Sequence, residues 1–217
     1  LKSLTLSLPW KYVIIITSTL AFTGGLCMLL FVENGPYRKP GQPLRLFAFF
    51  TLFRNHNLRA AAFGYFGHMW ELYTFWAFVP VMLATYQKHF SGVYFNIPLL
   101  SFFIIGSGSL ACMGSGLLSQ RYSPKKIAGI ALAVSGSCCL LSPFFLFQNS
   151  VNILFFFLLI WGLAVIADSP MFSTLVAQSA PAEARGSVLT IVNCIGFAIT
   201  IISIQLVNTL LIHANPQ

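Results

Sequence analysis

The stretch that decides the fold is Val151–Val176, VNILFFFLLIWGLAVIADSPMFSTLV, in which Asp168 is the single charged residue. About 20 apolar residues in helical form cross a hydrocarbon core roughly 30 Å thick. Lipid offers no partner to backbone N–H and C=O groups, so such a segment satisfies them internally as an α-helix. The stretch therefore predicts a membrane-spanning helix that carries one acid.

The composition extends this prediction to a polytopic membrane protein. Of the 217 residues, 57% are apolar and 7% are charged, and 22 are Phe. An average soluble protein has about 25% charged residues, so a water-soluble domain, a disordered chain and a coiled coil are excluded. The five Cys lie in apolar runs without a C-x-x-C pair, which is typical of buried thiols.

Six stretches have the length and polarity of a membrane span. They are Val13–Val32, Ala60–Ala84, Val93–Leu118, Ile127–Phe147, Val151–Val176 and Val188–Ile212. None shows segments of about ten residues with alternating polarity, as barrel strands do. We therefore predict an all-α membrane protein, a polytopic bundle of six transmembrane helices.

The placement of Lys and Arg predicts the orientation. If Glu33–Arg59 faces the cytoplasm, nine of the twelve cations lie on that side and three on the other. The nine are Arg38, Lys39, Arg45, Arg54, Arg59, Arg121, Lys125, Lys126 and Arg185. Cytoplasmic loops carry an excess of Lys and Arg, so the formal charge of +8 is a topology signal. Nucleic acid is not an expected partner.

Two short motifs follow the third and the fifth predicted spans. Gly116–Lys126 reads GLLSQRYSPKK and Pro181–Gly186 reads PAEARG. The first resembles the loop motif of the major facilitator superfamily, a glycine followed by an acid, Arg, an aromatic, Gly and two basic residues. The second resembles that superfamily's proline–x–x–x–arginine–glycine string. Gln120 stands where the motif has its acid, and Ser123–Pro124 replaces the second glycine.

The resemblance covers nearly the whole chain and implies that it contains helices six to eleven of a twelve-helix transporter. Helix six would be the last helix of the N-terminal half, and helices seven to eleven would form most of the C-terminal half. Residues 1–32 would then hold the last helix of the N-terminal half with its outer lead-in. Residues 33–59 would form a cytoplasmic basic linker, and 60–217 a C-terminal transmembrane bundle of five helices. The chain begins with Leu, so we expect it to belong to a larger protein. The lipid bilayer and the missing N-terminal half are the expected partners.

The same resemblance implies a gating role for the residues of the two cytoplasmic motifs. The expected gating residues are Arg121, Lys125, Lys126, Glu183 and Arg185. Because Gln120 replaces the usual acid, the expected partner of Arg121 is Glu183, Asp168 or a set of helix C-terminal carbonyls.

His68 and Glu71 in the second span mark a candidate coupling site. Glu71 lies near the middle of the membrane, where an ionised acid costs roughly 3 kcal/mol or more unless it faces a partner or water. His68, Glu71 and Thr74 fall on one helical stripe, with His68 and Glu71 as neighbours, and Trp70 is expected to line a cavity. Two interpretations stay open: a proton or substrate site, or a hydrogen-bonded pair that fixes helix packing.

Asp168 and Asn193 are the other candidates inside spans. Pro170 lacks an N–H and crowds the carbonyl of Ile166, which predicts a kink beside Asp168. Asp168 either moves with this kink or forms a static contact with Arg185 or Arg121. Asn193 begins a polar stripe that either lines a pathway or forms hydrogen bonds between helices.

Together these features favour a secondary active transporter of a small solute or ion, working by alternating access and coupled to protons. No G-x-x-x-x-G-K-[ST] loop is present in the sequence, so an ion gradient or the solute's own gradient is the expected driving force. No enzyme activity, metal or cofactor is expected. An intramembrane enzyme and a non-transporting sensor remain as alternatives. The expected location is the plasma or inner membrane of a bacterium, and the substrate is not readable.

Overall fold

A computed structural model describes residues 10–33 and 53–214 of the chain. The chain divides into two compact units, Leu1–Pro43 and Leu44–Gln217. In the first unit, helix α1 covers Trp10–Phe31 and is long and apolar enough to cross a membrane.

The described part of the second unit is a bundle of helices. In chain order they are α2 (His56–His89), α3 (Ile97–Gly106), α4 (Gly108–Leu118), α5 (Pro124–Phe145), α6 (Val151–Ala167), α7 (Ser169–Ser179) and α8 (Arg185–Ala214). A single residue separates α3 from α4 and α6 from α7, so each pair forms one broken span. All six predicted spans are helical over most of their length, and the all-α bundle is confirmed.

Five segments of the described chain are long and apolar enough to cross a membrane. They are Lys11–Phe31, Ile97–Leu118, Pro124–Phe145, Val151–Ser179 and Arg185–His213. The helix α2 has 34 residues but is less apolar than these five, because its interior holds polar groups such as His68 and Glu71. This less apolar helix thus carries two of the candidate site residues.

The third span, predicted as one helix over Val93–Leu118, begins at Ile97 and is divided at Ser107. Asn96 caps its start, since its side chain accepts a hydrogen bond from the N–H of Leu99 at 3.1 Å. At the break, Ser107 Oγ donates to the carbonyl of Ile104 at 2.8 Å. Glycines flank this serine, and both residue types weaken the regular helical ladder.

Two glycines, one on α6 and one on α8, allow neighbouring helices to approach closely. A Cβ atom on Gly162 of α6 would lie 2.8 Å from the backbone oxygen of Ile104 on α3. A Cβ atom on Gly196 of α8 would lie 2.7 Å from a ring carbon of Tyr65 on α2. Close packing through small residues is the usual way in which membrane helices associate.

The apolar core consists of two clusters that meet along α2. One gathers Leu58, Tyr65 and Met69 of α2 with residues of α7 and α8, and the other gathers Phe75 and Val79 with residues of α3 and α6. His68 and Glu71 lie where the first cluster passes into the second. Both core clusters therefore support the position of the polar residues.

Most of the predicted basic linker lies outside the described residues, including Arg38, Lys39 and Arg45. Its last four residues, His56–Arg59, belong instead to α2. The helix starts there because Asn55 acts as N-cap, with its side chain accepting from the N–H of Asn57 at 2.9 Å. The predicted lead-in before Trp10 also lies outside the described residues.

Candidate functional site: a buried acid and histidine cluster

The break between α6 and α7 positions Asp168, and it confirms the kink that Pro170 predicts. Helix α6 ends at Ala167, and α7 starts at Ser169 with Pro170 in its first turn. The carbonyl of Ile166, which the proline leaves without its helical donor, accepts from the backbone N–H of Asp168. It also lies 3.7 Å from the thiol of Cys112 on α4. The two broken spans therefore touch at their breaks.

Asp168 meets His68 at this break. Oδ1 of Asp168 lies 2.7 Å from Nδ1 of His68, and the two side chains are 2% and 1% exposed. The distance is that of an ion pair, but neither atom satisfies the angular limits of a hydrogen bond. The two side chains are therefore in close polar contact. Asp168 also lies at the N-terminal end of α7, where the helix dipole favours negative charge.

Glu71 lies one turn further along α2 and has separate partners. Ser135 Oγ on α5 donates to Oε2 at 3.0 Å, and the indole Nε1 of Trp161 on α6 donates to Oε1 at 3.3 Å. Both donors are buried, and both are neutral. The Glu71 carboxyl of α2 is thus held by donors from two other helices, and no cation lies within ion-pair distance among the described residues.

These contacts correct two predicted pairings. His68 pairs with Asp168 rather than with Glu71, because the break in the fifth span turns Asp168 toward α2. Asp168 forms no ion pair with Arg121 or Arg185, since it is fully buried whereas both arginines are exposed.

Aromatic rings surround the cluster. The His68 ring lies between Tyr65 and Phe172, with centroids 6.2 and 5.9 Å away. The Trp161 ring packs against Phe75 at 4.9 Å. Among the described residues, Nε2 of His68 has no hydrogen-bond partner although it is buried. The cluster thus retains hydrogen-bonding capacity in a water-poor surrounding.

The other predicted site residues are not drawn into this cluster. Thr74 Oγ1 donates to the carbonyl of Trp70 on its own helix at 2.6 Å, and the Trp70 side chain is 37% exposed. Asn193 is exposed on α8, whereas Thr200 and Ser203, further along the same helix, are buried. The buried hydroxyls donate to carbonyls of α8 itself.

The predicted gating residues are all exposed. They are Arg121, Lys125, Lys126, Glu183 and Arg185. None of them forms an ion pair within the described part of the chain. Lys126 places its Nζ 5.7 Å from the centroid of the Tyr122 ring. The predicted contact of Arg121 with Glu183 or Asp168 is absent from this conformation.

Ser135, Trp161 and Cys112 are site residues that the sequence analysis missed. A depth comparison would have found two of them, because Trp161 and Ser135 lie near the middle of their predicted spans, as Glu71 does. The same comparison pairs His68 with Asp168. Each lies eight residues inside its predicted span, counted from Ala60 and from Val176 on the same side of the membrane.

The comparison with protein families gives the class of this protein. The model of the Major Facilitator Superfamily matches residues 2–204, which is nearly the whole chain. The chain belongs to the major facilitator superfamily and is a multi-pass membrane transport protein. Searches of curated proteins and of solved structures found no match.

Proposed function

We propose that this protein is a proton-coupled secondary active transporter of a small solute, working by alternating access. The observation that carries the proposal is the cluster of His68, Glu71 and Asp168 inside the membrane-spanning part of the chain. Two of these titratable side chains are buried to at least 98%. Ionisable residues within a bundle are costly, and they mark ion or substrate pathways.

The two acids have different partners, and we assign them different roles. Asp168 is balanced by the imidazole of His68, so together they hold α2 against the break between α6 and α7. Glu71 has the neutral donors Ser135 and Trp161. A proton bound by Glu71 removes its charge while the surrounding packing stays in place. Glu71 is therefore the proton site in this proposal, and His68–Asp168 is the latch.

The broken spans supply the movement in this proposal. Pro170 removes one backbone hydrogen bond at the start of α7, so α7 can tilt relative to α6 at low cost. Such a tilt separates Asp168 from His68. The break at Ser107 packs against the end of α6, because a Cβ atom on the adjacent Gly108 would overlap the side chain of Ile166. The end of α6 and the break at Ser107 therefore constrain each other, while α7 moves beyond them.

The exposed candidate residues are consistent with the same proposal if a second half of the transporter packs against this one. Facilitators bind their solute between two halves near the membrane midplane. Trp70, Thr74 and Asn193 would then face the solute path or the N-terminal half. The five cytoplasmic gating residues would form their contacts when the path is closed on that side. Residues 1–217 alone should accordingly show no saturable transport in liposomes.

A proton-flux measurement tests the function. The full-length protein is reconstituted in vesicles that contain a pH-sensitive dye, and sugars, amino acids, organic acids and amines are added in turn. We expect at least one solute class to cause proton flux that requires the protein. Solute uptake that is indifferent to the pH gradient would contradict proton coupling.

Ser135→Ala and Ser137→Ala are matched variants for this measurement. Ser135 donates to Glu71, whereas Ser137, two residues further along α5, donates to the carbonyl of Ala133 on its own helix at 2.7 Å. We expect Ser135→Ala to change the pH dependence of the flux and Ser137→Ala to leave it unchanged. Equal behaviour of the two variants would remove Glu71 from the proton path.

A further inference from the structure

A groove of about 900 Å³ lies between α4, α5 and α6, apart from the acid and histidine cluster. Its lining is almost entirely apolar. One face of each helix supplies a wall, with Leu110, Leu118, Ile130, Val134 and Ile160 among the exposed side chains. All three helices belong to segments long and apolar enough to cross the membrane. Such a wall is chemically suited to a lipid acyl chain, since both are apolar.

One end of the groove is strongly basic. Lys126 and Tyr122 line it there, at the turn between α4 and α5. Arg121 and Lys125 flank the same turn, and all three cations are exposed without a carboxylate partner among the described residues. The N-terminus of α5, capped by Ser123, adds the positive end of a helix dipole.

The geometry points to a binding site for an anionic phospholipid, with an acyl chain in the groove and the phosphate at Lys126, Arg121 and Lys125. The cations lie at one end and the apolar walls extend from them, as the phosphate and the acyl chain do in a phospholipid. From Lys126 to Val134 the wall on α5 extends about 12 Å along the helix axis, at 1.5 Å per residue. A free phosphate would use the cations alone, and a neutral lipid would use the groove alone.

Phospholipid retention by the purified full-length protein tests this site. In native mass spectrometry from mild detergent, phosphatidylglycerol and phosphatidylcholine with identical acyl chains compete for the protein. We expect preferential retention of phosphatidylglycerol by more than about fivefold, because each basic residue near an anionic headgroup contributes a factor of about five. Equal retention of both lipids would overturn the assignment of the headgroup.

Two substitutions distinguish the effect of the basic end of the groove from the effect of the protein's net charge. Lys126→Gln should lower phosphatidylglycerol retention about fivefold and leave phosphatidylcholine retention unchanged. Lys88→Gln removes an exposed cation from the last turn of α2 and is the matched control. Equal losses in the two variants would show that net charge rather than this site retains the lipid.

Two further substitutions test the groove itself. Gly114 lines the groove, and a Cβ atom there would meet nothing within 4 Å, so Gly114→Phe should fill the groove and lower retention of phosphatidylglycerol. Ile130→Asn makes the wall polar at a side chain that is 57% exposed. It is the alternative variant for the same test if Gly114→Phe folds poorly. Normal retention by a folded variant would overturn the acyl-chain site. Competition by glycerophosphoglycerol, which lacks acyl chains, would assign the cations to phosphate alone.

Discussion

Nδ1 of His68 lies 2.7 Å from Oδ1 of Asp168, at the point where the fifth span of the chain is broken. The contact joins the middle of α2 to the start of α7, and both side chains are buried. In a buried contact each polar group compensates the desolvation of the other. A tilt of α7 at Pro170 therefore has to break the contact between His68 and Asp168, unless α2 moves together with α7.

Removing one partner of this pair should be costly. We expect His68→Ala and Asp168→Ala each to lower the free energy of unfolding by about 3 kcal/mol, because each leaves a buried group without compensation. The double variant should lose clearly less than the sum of the two. Equilibrium unfolding in bicelles gives the coupling energy. Asn193→Ala, at an exposed position, is the control, and strictly additive losses would count against an energetic pairing.

The close approach of α6 to α3 predicts a second effect on stability. Gly162→Ala places a Cβ atom 2.8 Å from the backbone oxygen of Ile104, so the two spans must move apart. We expect a loss of about 1–3 kcal/mol in the free energy of unfolding. Gly129→Ala on α5 meets nothing within 4 Å and should be neutral or slightly stabilising. Equal stabilities of the two variants would refute the close packing at Gly162.

The distribution of Lys and Arg predicts the topology of the loops. In a cysteine-free background, Ser123→Cys should react with a membrane-impermeant maleimide only after the cells are permeabilised, since the excess of Lys and Arg predicts that the basic turn faces the cytoplasm. Ser91→Cys, between α2 and α3, should react on intact cells. Both positions are exposed in the structure. The reverse labelling pattern would invert the orientation.

Much of the fold was predictable because hydropathy and span length determine it. Each predicted span contains a helix, and Pro170 marks the break beside Asp168. The break at Ser107 was not predicted, since a serine between glycines weakens a helix without forbidding it. The start of α2 at His56 was missed because the capping residue Asn55 lies inside a segment that the basic residues marked as a loop.

His68, Glu71 and Asp168 of the buried cluster were among the residues singled out from the sequence, but their contacts were not predicted. Helical spacing places His68 beside Glu71 on one stripe, and that local argument favours a pair. In the structure His68 contacts Asp168, and Glu71 accepts hydrogen bonds from Ser135 and Trp161. These partners belong to other helices and lie at the same depth along the bundle as the residues they contact. Contacts between helices can be predicted by comparing the depths of residues in antiparallel spans, whereas spacing within one helix does not predict them.

The most direct test of proton coupling compares accumulation with exchange in vesicles of full-length Glu71→Gln protein. Glutamine keeps the shape of the side chain and can still accept from Trp161, but it cannot bind and release a proton. We predict that a pH gradient no longer drives accumulation of the solute, while exchange of labelled for unlabelled solute continues. Normal pH-driven accumulation by the Glu71→Gln protein would contradict it and make Glu71 a packing residue.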